Sequence, residues 1–142
     1  MIYVRWKEYP EGYLVKLFPG EEIIRSLTHL CLEKRIEGAS VSAIGALKKA
    51  ELGYFDDTTG TYLTRMFEGG FELVSLLGNI SVFQEEPKIH LHACLGDHDY
   101  NIFGGHLVWG EVSVTCECII RVLSWKLIRK EDPETGLPLW DL

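Results

Sequence analysis

Three of the five histidines fall in two short segments, His90-Leu91-His92 and Gly104-Gly105-His106. If the first segment lies in a β-strand, alternation of side chains places His90 and His92 on one face about 7 Å apart, so that both imidazoles can bind one ion. The glycines before His106 lack Cβ atoms, which lets the backbone approach closely or turn sharply and present a third imidazole. Three nitrogen ligands with an open fourth position are typical of catalytic zinc. The sequence therefore predicts a divalent metal site, with zinc as the first choice, at His90, His92 and His106.

The alternative is that these histidines are structural, because a single histidine on a strand is more often a packed or surface residue. The other two histidines are not expected to bind the metal. His98 lies in the polar segment Gly96-Asp97-His98-Asp99, which is typical of an exposed turn. His29 lies on a predicted helix away from its apolar stripe, and we expect it to face solvent.

Glu72 and two cysteines are further candidates for chemistry. Glu72 lies in a strongly apolar stretch, where an unpaired carboxylate is costly to bury. If the sheet brings it near the histidines, it can accept a hydrogen bond from a ligand histidine or act as a catalytic general base; otherwise it points outward or has a structural ion pair. Cys116 and Cys118 are expected on one strand face, either as a soft-metal site or as small buried residues.

Composition restricts the class of protein. The chain has 142 residues, 46% of them apolar, which is enough for one domain with one core. It has no apolar run of eighteen residues and no signal-peptide pattern at its start, so we expect a soluble, cytoplasmic protein without membrane contact. The formal net charge of −7 repels a phosphate backbone, which disfavours nucleic-acid binding.

Periodicity predicts the elements that must position the histidines. Residues 21–34 have apolar side chains on one face of a 3.6-residue period, which predicts a helix. Short extended segments precede it at 3–8 and 13–17, and strands are predicted after it at 40–47, 49–55, 62–67, 71–82, 89–95 and 110–122. Turn signals at 56–60 and at Gly69-Gly70 favour antiparallel hairpins. We expect an α+β fold in which one main helix lies on a mostly antiparallel sheet. The tail at 131–142 has no periodicity and is expected to be a loose end or an arm packing on a neighbour.

Five segments, in this order, resemble the plants-and-prokaryotes conserved (PPC) domain. They are Phe18-Pro19-Gly20-Glu21-Glu22, Val41-Ser42-Ala43-Ile44-Gly45-Ala46-Leu47, Gly70-Phe71-Glu72-Leu73-Val74-Ser75-Leu76-Leu77-Gly78-Asn79, His90-Leu91-His92 and Gly104-Gly105-His106-Leu107. The resemblance covers about residues 3–125 and makes residues 1–142 a single PPC domain with a C-terminal tail. It implies an antiparallel sheet with a helix, a homotrimer, and a metal ion, zinc in the first instance, at the three histidines.

The resemblance also bears on DNA and on catalysis. Plant members carry a basic AT-hook arm, whereas this sequence has no Arg-Gly-Arg-Pro segment and has Gly69-Gly70 where plant members have Gly-Arg, so direct DNA binding is not expected. The histidine spacing is also similar to that of acetolactate decarboxylase. The leading hypothesis is therefore a metal-binding homotrimer of unknown ligand with a possible regulatory role. The alternatives are a zinc-dependent lyase or hydrolase acting on a small acid, and a DNA-associated regulator.

Overall fold

The computed structural model describes residues 4–142, in which six strands form the main sheet and one helix lies against it. The helix α1 spans Ile23–Lys34. The strands of the main sheet are β1 (Val4–Tyr9), β2 (Gly12–Leu17), β3 (Ala39–Asp56), β4 (Thr61–Phe83), β5 (Glu86–Gly96) and β6 (Ile102–Val122). Two short strands, β7 (Arg129–Glu131) and β8 (Pro138–Trp140), form a separate hairpin near the C-terminus. Tyr3, where we predicted the first strand to begin, lies outside the described residues.

All strand pairs of the main sheet are antiparallel, in the order β1-β2-β6-β3-β4-β5. Strand β6 has different neighbours along its length. It pairs with β3 from His106 to Val122 and with β2 from Cys116 to Arg121, whereas its first residues, from Ile102 to His106, pair with β5. The pairing of β5 with β6 closes a ring of four strands, β3-β4-β5-β6, and His92 and His106 lie where that ring closes. The expected mostly antiparallel sheet with one main helix is confirmed.

Two predicted interruptions of the sheet were wrong. Residues 40–47 and 49–55 belong to one strand, β3, with register shifts between Ala43 and Gly45 and between Leu47 and Lys49. Residues 62–67 and 71–82 likewise belong to one strand, β4. Gly69 and Gly70 have φ of 108° and 88°, a region that only glycine adopts readily, and they bend the strand without ending it.

The helix begins two residues later than predicted. Glu22 has extended backbone angles and acts as the N-cap, its carboxylate accepting hydrogen bonds from the backbone N–H of Ile24 and Arg25 at 3.1 and 2.7 Å. Its Oε1 also accepts from the N–H of Gly110 at 3.1 Å, which ties the start of α1 to β6. The preceding Glu21 is buried, and its carboxylate accepts a hydrogen bond from the hydroxyl of Ser26.

The core lies between α1 and the inner face of the sheet. α1 packs against β5 and β6 and buries Leu27 and Leu30 almost completely. Because side chains alternate along β5, Leu91, Ala93 and Leu95 point into this core, and the intervening side chains point to the opposite face. Within residues 4–142 no helix has the length and apolarity that crossing a membrane requires.

Close backbone contacts occur at one of the two glycines before His106. A Cβ added at Gly105 would lie 2.9 Å from the carbonyl oxygen of Gly53 on β3, whereas one added at Gly104 would meet nothing closer than 3.4 Å. Gly53 is the residue on β3 that pairs with His106. The approach of β3 to β6 beside this histidine therefore depends on Gly105.

We expect Gly105→Ala to lower the free energy of unfolding by about 1–3 kcal/mol, the usual cost of overpacking, because neither backbone can easily move aside. Gly104→Ala is the matched control, since it adds the same methyl group one residue earlier with ordinary contacts. Urea denaturation of both variants measures the difference. Equal stability of the two variants would show that the close contact at Gly105 is not needed.

Candidate metal centre

The three predicted histidines converge on the sheet face opposite α1. Two of them, His90 and His92, alternate with core residues of β5, and His106 lies on β6 directly opposite His92. The predicted alternation therefore holds. The strand β6 begins at Ile102, eight residues earlier than predicted. His106 therefore lies within β6 and is placed by the pairing of β6 with β5.

The geometry of the three rings suits a single ion. Ring centroids are 5.2 Å apart for His90 and His92, 5.3 Å for His90 and His106, and 5.7 Å for His92 and His106. One nitrogen of each ring lies within 4.8 Å of one nitrogen of the other two. Tetrahedral zinc with Zn–N distances of about 2.0–2.1 Å needs ligand nitrogens about 3.4 Å apart. The three nitrogens are therefore at most about 1.4 Å farther apart than a bound zinc ion requires.

Burial keeps two of the rings neutral. Burial, with the neighbouring charge of Arg129, lowers the pKa of His90 to about 4. Burial also lowers the pKa of His106. Both are therefore neutral at pH 7, the form in which imidazole binds a metal.

One ring nitrogen has no partner. The Nδ1 of His106 is buried and has no hydrogen-bond partner among residues 4–142, which is unusual for a polar atom away from water. The ring of His106 also stacks on Tyr62, with centroids 5.1 Å apart and planes inclined by 36°, which limits its rotation. Three imidazoles, one of them with an unpartnered nitrogen, are suitable metal ligands. The three histidines therefore fit the metal ion that the resemblance to the PPC domain implies.

The C-terminal hairpin places an arginine beside the histidines. Arg129 on β7 is only 7% exposed and donates hydrogen bonds from Nε to Ser81 Oγ at 2.6 Å and from a terminal nitrogen to Asn79 Oδ1 at 2.7 Å. The other terminal nitrogen donates to the carbonyl of Pro138 on β8 at 2.8 Å. The nitrogen that contacts Asn79 lies 3.3 Å from Nδ1 of His90. Residues 131–142, predicted to be a loose end or an arm on a neighbour, thus follow a strand that is held against the chain's own sheet.

A small cavity lies between the hairpin and the histidines. Its volume is about 120 Å³, and it is lined by Tyr62, Lys88, His90, His106, Arg129, Leu137, Pro138 and Leu139. Two cationic side chains, Lys88 and Arg129, line this space, and no aspartate or glutamate of residues 4–142 does. Neither cation was predicted from the sequence to lie near the histidines.

The other candidate residues lie elsewhere. Glu72 is exposed on β4 opposite Gly96, whereas the β4 residue opposite His92 is Leu77, five residues or about 16 Å further along the strand. The sheet therefore does not bring Glu72 to the histidines. His29 and His98 are both exposed.

The two strand cysteines lie in the core. Sγ of Cys116 and Sγ of Cys118 are 3.7 Å apart, and both residues are buried. Its hydrogen bond with Cys116, together with burial, raises the pKa of the Cys118 thiol, so this thiol stays protonated. This favours their interpretation as small buried residues over a soft-metal site.

Comparison with known proteins places this geometry in a family. A sequence profile of the Plants and Prokaryotes Conserved domain, abbreviated PCC or PPC, matches residues 7–124. The curated relative GlmU of a Synechococcus strain, a bifunctional protein, is 29% identical over 127 residues, which cover 87% of this chain and 19% of GlmU. The chain thus spans about a fifth of the length of the curated relatives it matches.

Three solved structures are similar over nearly their whole length. A presumed DNA-binding protein of Bacteroides thetaiotaomicron has 30% identity and a TM-score of 0.94, covering 97% of this chain and 96% of that chain. A PPC protein of Pyrococcus horikoshii has 34% identity and a TM-score of 0.85, covering 99% and 95%. A protein of Archaeoglobus fulgidus described as metal-containing has 31% identity and a TM-score of 0.85, covering 100% and 99%.

A weaker similarity concerns the fold alone. A Staphylococcus aureus protein of unknown function, described as similar to alpha-acetolactate decarboxylase, has 13% identity and a TM-score of 0.53 over 79% of this chain and 53% of that chain. The profile match, by contrast, covers most of the sequence and includes all three histidines. This chain belongs to the Plants and Prokaryotes Conserved domain family.

Proposed function

We propose that this chain is a homotrimeric metal-binding protein that holds one divalent ion per subunit, zinc in the first instance, at His90, His92 and His106. The observation that carries the proposal is the convergence of three imidazoles from two paired strands, one of which has a buried nitrogen without a partner. Further support comes from the related Archaeoglobus fulgidus protein, which is described as metal-containing.

The donor set accounts for the choice of metal and for what it would do. Imidazole nitrogen suits zinc among the abundant divalent ions, whereas magnesium and calcium prefer oxygen ligands. A zinc ion with three histidine ligands keeps a fourth position for water or a ligand, lowers the pKa of bound water and polarises a bound carbonyl. Two of the three histidines, His90 and His106, also line the small cavity beside the hairpin.

A zinc-dependent lyase or hydrolase acting on a small acid is the second candidate. The cavity favours it, because Lys88 and Arg129 would attract a negatively charged substrate. Against it, the lining residues include no carboxylate that could serve as a general base, and Glu72 lies about 16 Å along β4 from the residue opposite His92. Ligand binding therefore ranks ahead of catalysis.

The homotrimer is supported by an apolar row on the sheet face that α1 does not cover. Paired residues form this row across the sheet, from Leu14 through Ile119, Ser42 and Leu77 to His92. Leu14, Ile119, Leu77 and the neighbouring Ile44 are 43–58% exposed. Large exposed apolar patches on a soluble protein mark interaction surfaces. A closed ring of identical subunits would cover them, and the family resemblance implies three subunits.

The metal site predicts about one zinc per chain in protein purified without chelator. Replacing any one of the three histidines with alanine should weaken zinc binding by more than about a hundredfold, since loss of an outer partner alone costs 10–100-fold. Calorimetric titration of stripped protein with zinc measures this, and His29→Ala, an exposed histidine on α1, is the matched control. If the wild type takes up no zinc, or binds it as the triple alanine variant does, the site does not exist.

The assembly predicts a mass of three times the 16.2 kDa chain by light scattering. Ile119→Glu should reduce that mass towards the monomer, because a charge would be buried in the middle of the apolar row. Leu32→Glu places the same charge at an exposed leucine on α1 and should leave the trimer intact. A monodisperse wild-type monomer would contradict the proposed assembly.

A DNA-associated role is the third candidate, favoured by the description of the Bacteroides thetaiotaomicron relative. The net charge of −7 opposes it, since non-specific affinity for DNA comes from neutralising phosphates with cationic side chains. We expect weak or no binding to random duplex DNA at physiological salt in a fluorescence anisotropy titration. Submicromolar, salt-sensitive binding would instead show that local basic residues outweigh the net charge.

A further inference from the structure

The buried arginine beside the histidines has no anionic partner. Four neutral groups surround the guanidinium of Arg129: the Ser81 hydroxyl, the Asn79 side-chain oxygen, the Pro138 carbonyl and the His90 ring. No aspartate or glutamate oxygen of residues 4–142 lies within 4.0 Å of the guanidinium nitrogens. The ion pairs among these residues are made by lysines and by His98 instead. An arginine that is 7% exposed is normally paired with an acid, since burying an uncompensated charge is costly.

Metal binding would change the contacts of this arginine. A neutral imidazole has one nitrogen with a free lone pair and one N–H, and arginine can only donate. The 3.3 Å contact therefore requires that Nδ1 of His90 accept from Arg129. A metal on Nδ1 would occupy that lone pair, and a metal on Nε2 would leave a proton on Nδ1 facing the guanidinium. In either case, binding of a metal by His90 releases one N–H donor of Arg129.

Lys88 adds a second cation to the same space. Lys88 is half-buried on β5, two residues before His90, lines the cavity, and makes no ion pair among the described residues. With a divalent ion on three neutral histidines, the cavity would contain three positive centres and no negative one. Such a site favours an anion that bridges them.

On this basis, and resting on the proposed metal site, we infer that the cavity binds a short-chain carboxylate between the metal ion, Lys88 and the N–H donor of Arg129 that the metal releases from His90. The released N–H would donate to one carboxylate oxygen, and a hydrogen bond between two charged groups is stronger than one to a neutral ring. The metal ion would then have two effects on carboxylate binding: it frees the Arg129 donor, and it attracts the carboxylate directly.

The cavity limits the size and the character of the ligand. Its volume of about 120 Å³ has room for roughly four water-sized groups. The wall opposite the histidines is formed by Leu137, Pro138 and Leu139, so the part of the ligand away from its charge is apolar. An organic acid of a few carbon atoms fits these walls better than an inorganic phosphate, which would present oxygen atoms to the leucines.

The test measures zinc binding by calorimetry in the presence and absence of propionate. Propionate should tighten zinc binding by about tenfold, which lies within the usual range for coupled sites, and by reciprocity zinc should tighten propionate binding equally. Sodium chloride at the same ionic strength and propionamide, which has the same shape without the charge, should have no such effect. Titration of propionate into zinc-loaded and metal-free protein measures the reciprocal coupling.

Two variants test whether Arg129 and Lys88 bind the carboxylate. Arg129→Gln should remove most of the coupling, measured as the ratio of the variant's own zinc affinities with and without propionate, because the guanidinium donor is gone. Since this variant also loosens the C-terminal hairpin, Lys88→Gln provides a second test at a side chain that holds no other element. Lys130→Gln, an exposed lysine next to Arg129, is the control of equal charge change.

The outcomes separate this inference from the proposed metal site. If the wild type fails to bind zinc at all, the metal site itself is wrong. If zinc binds but propionate has no effect, or acts equally on wild type, Arg129→Gln and Lys88→Gln, the metal site stands and the carboxylate inference is overturned. If phosphate couples to zinc and propionate does not, the assigned ligand class is wrong.

Discussion

The antiparallel pairing of β5 with β6 is the constraint on which the site depends. This pairing sets His92 opposite His106 and places His90 two residues away on the same face. A slip of one residue in register would turn the histidines into the core and bring Leu91 and Ala93 to the outer face. Burial of the apolar residues of β5 under α1 therefore fixes the position of the three histidines. The free energy that holds the core together also keeps the three imidazoles within reach of one ion.

The two faces of the sheet have different roles. α1 covers the inner face, and its N-terminus is tied to β6 through Glu22 and Gly110. The outer face has the apolar row, which ends at His92, the most exposed of the three histidines. A subunit packed on that row would lie close to the three histidines, so the proposed assembly and the proposed metal site would share one surface.

Sequence patterns predicted the local features and missed the long-range ones. Alternation placed His90 and His92 on one face because a strand has a period of two, and the helix followed from its apolar period. The break expected at Gly69-Gly70 was wrong because paired glycines can bend a long strand as readily as end it. Arg129 was missed because its partners, Asn79 and Ser81, lie about fifty residues earlier in the chain, and nothing near it in the sequence indicates burial. The distance of Glu72 from the histidines depends on strand register, which composition does not reveal.

Electrostatics connects the metal to the C-terminal hairpin. At the proposed metal site, three neutral imidazoles would leave the charge of a divalent ion uncompensated, and Arg129 and Lys88 would add to it within the same small space. For scale, two like unit charges about 5 Å apart repel each other by about 3 kcal/mol at an effective dielectric constant of 20, so several cations in one cavity are costly without an anion. Glu or Asp ligands would have balanced the ion, yet the described residues place none at the cavity. A chain with a net charge of −7 would thus have a locally positive site once the proposed ion is bound, and the balancing charge would come from water-derived hydroxide or from an anionic ligand. The hairpin contributes both a cation, Arg129, and the apolar wall formed by Leu137, Pro138 and Leu139. The same twelve or so C-terminal residues therefore close the cavity and would determine which ligand it accepts.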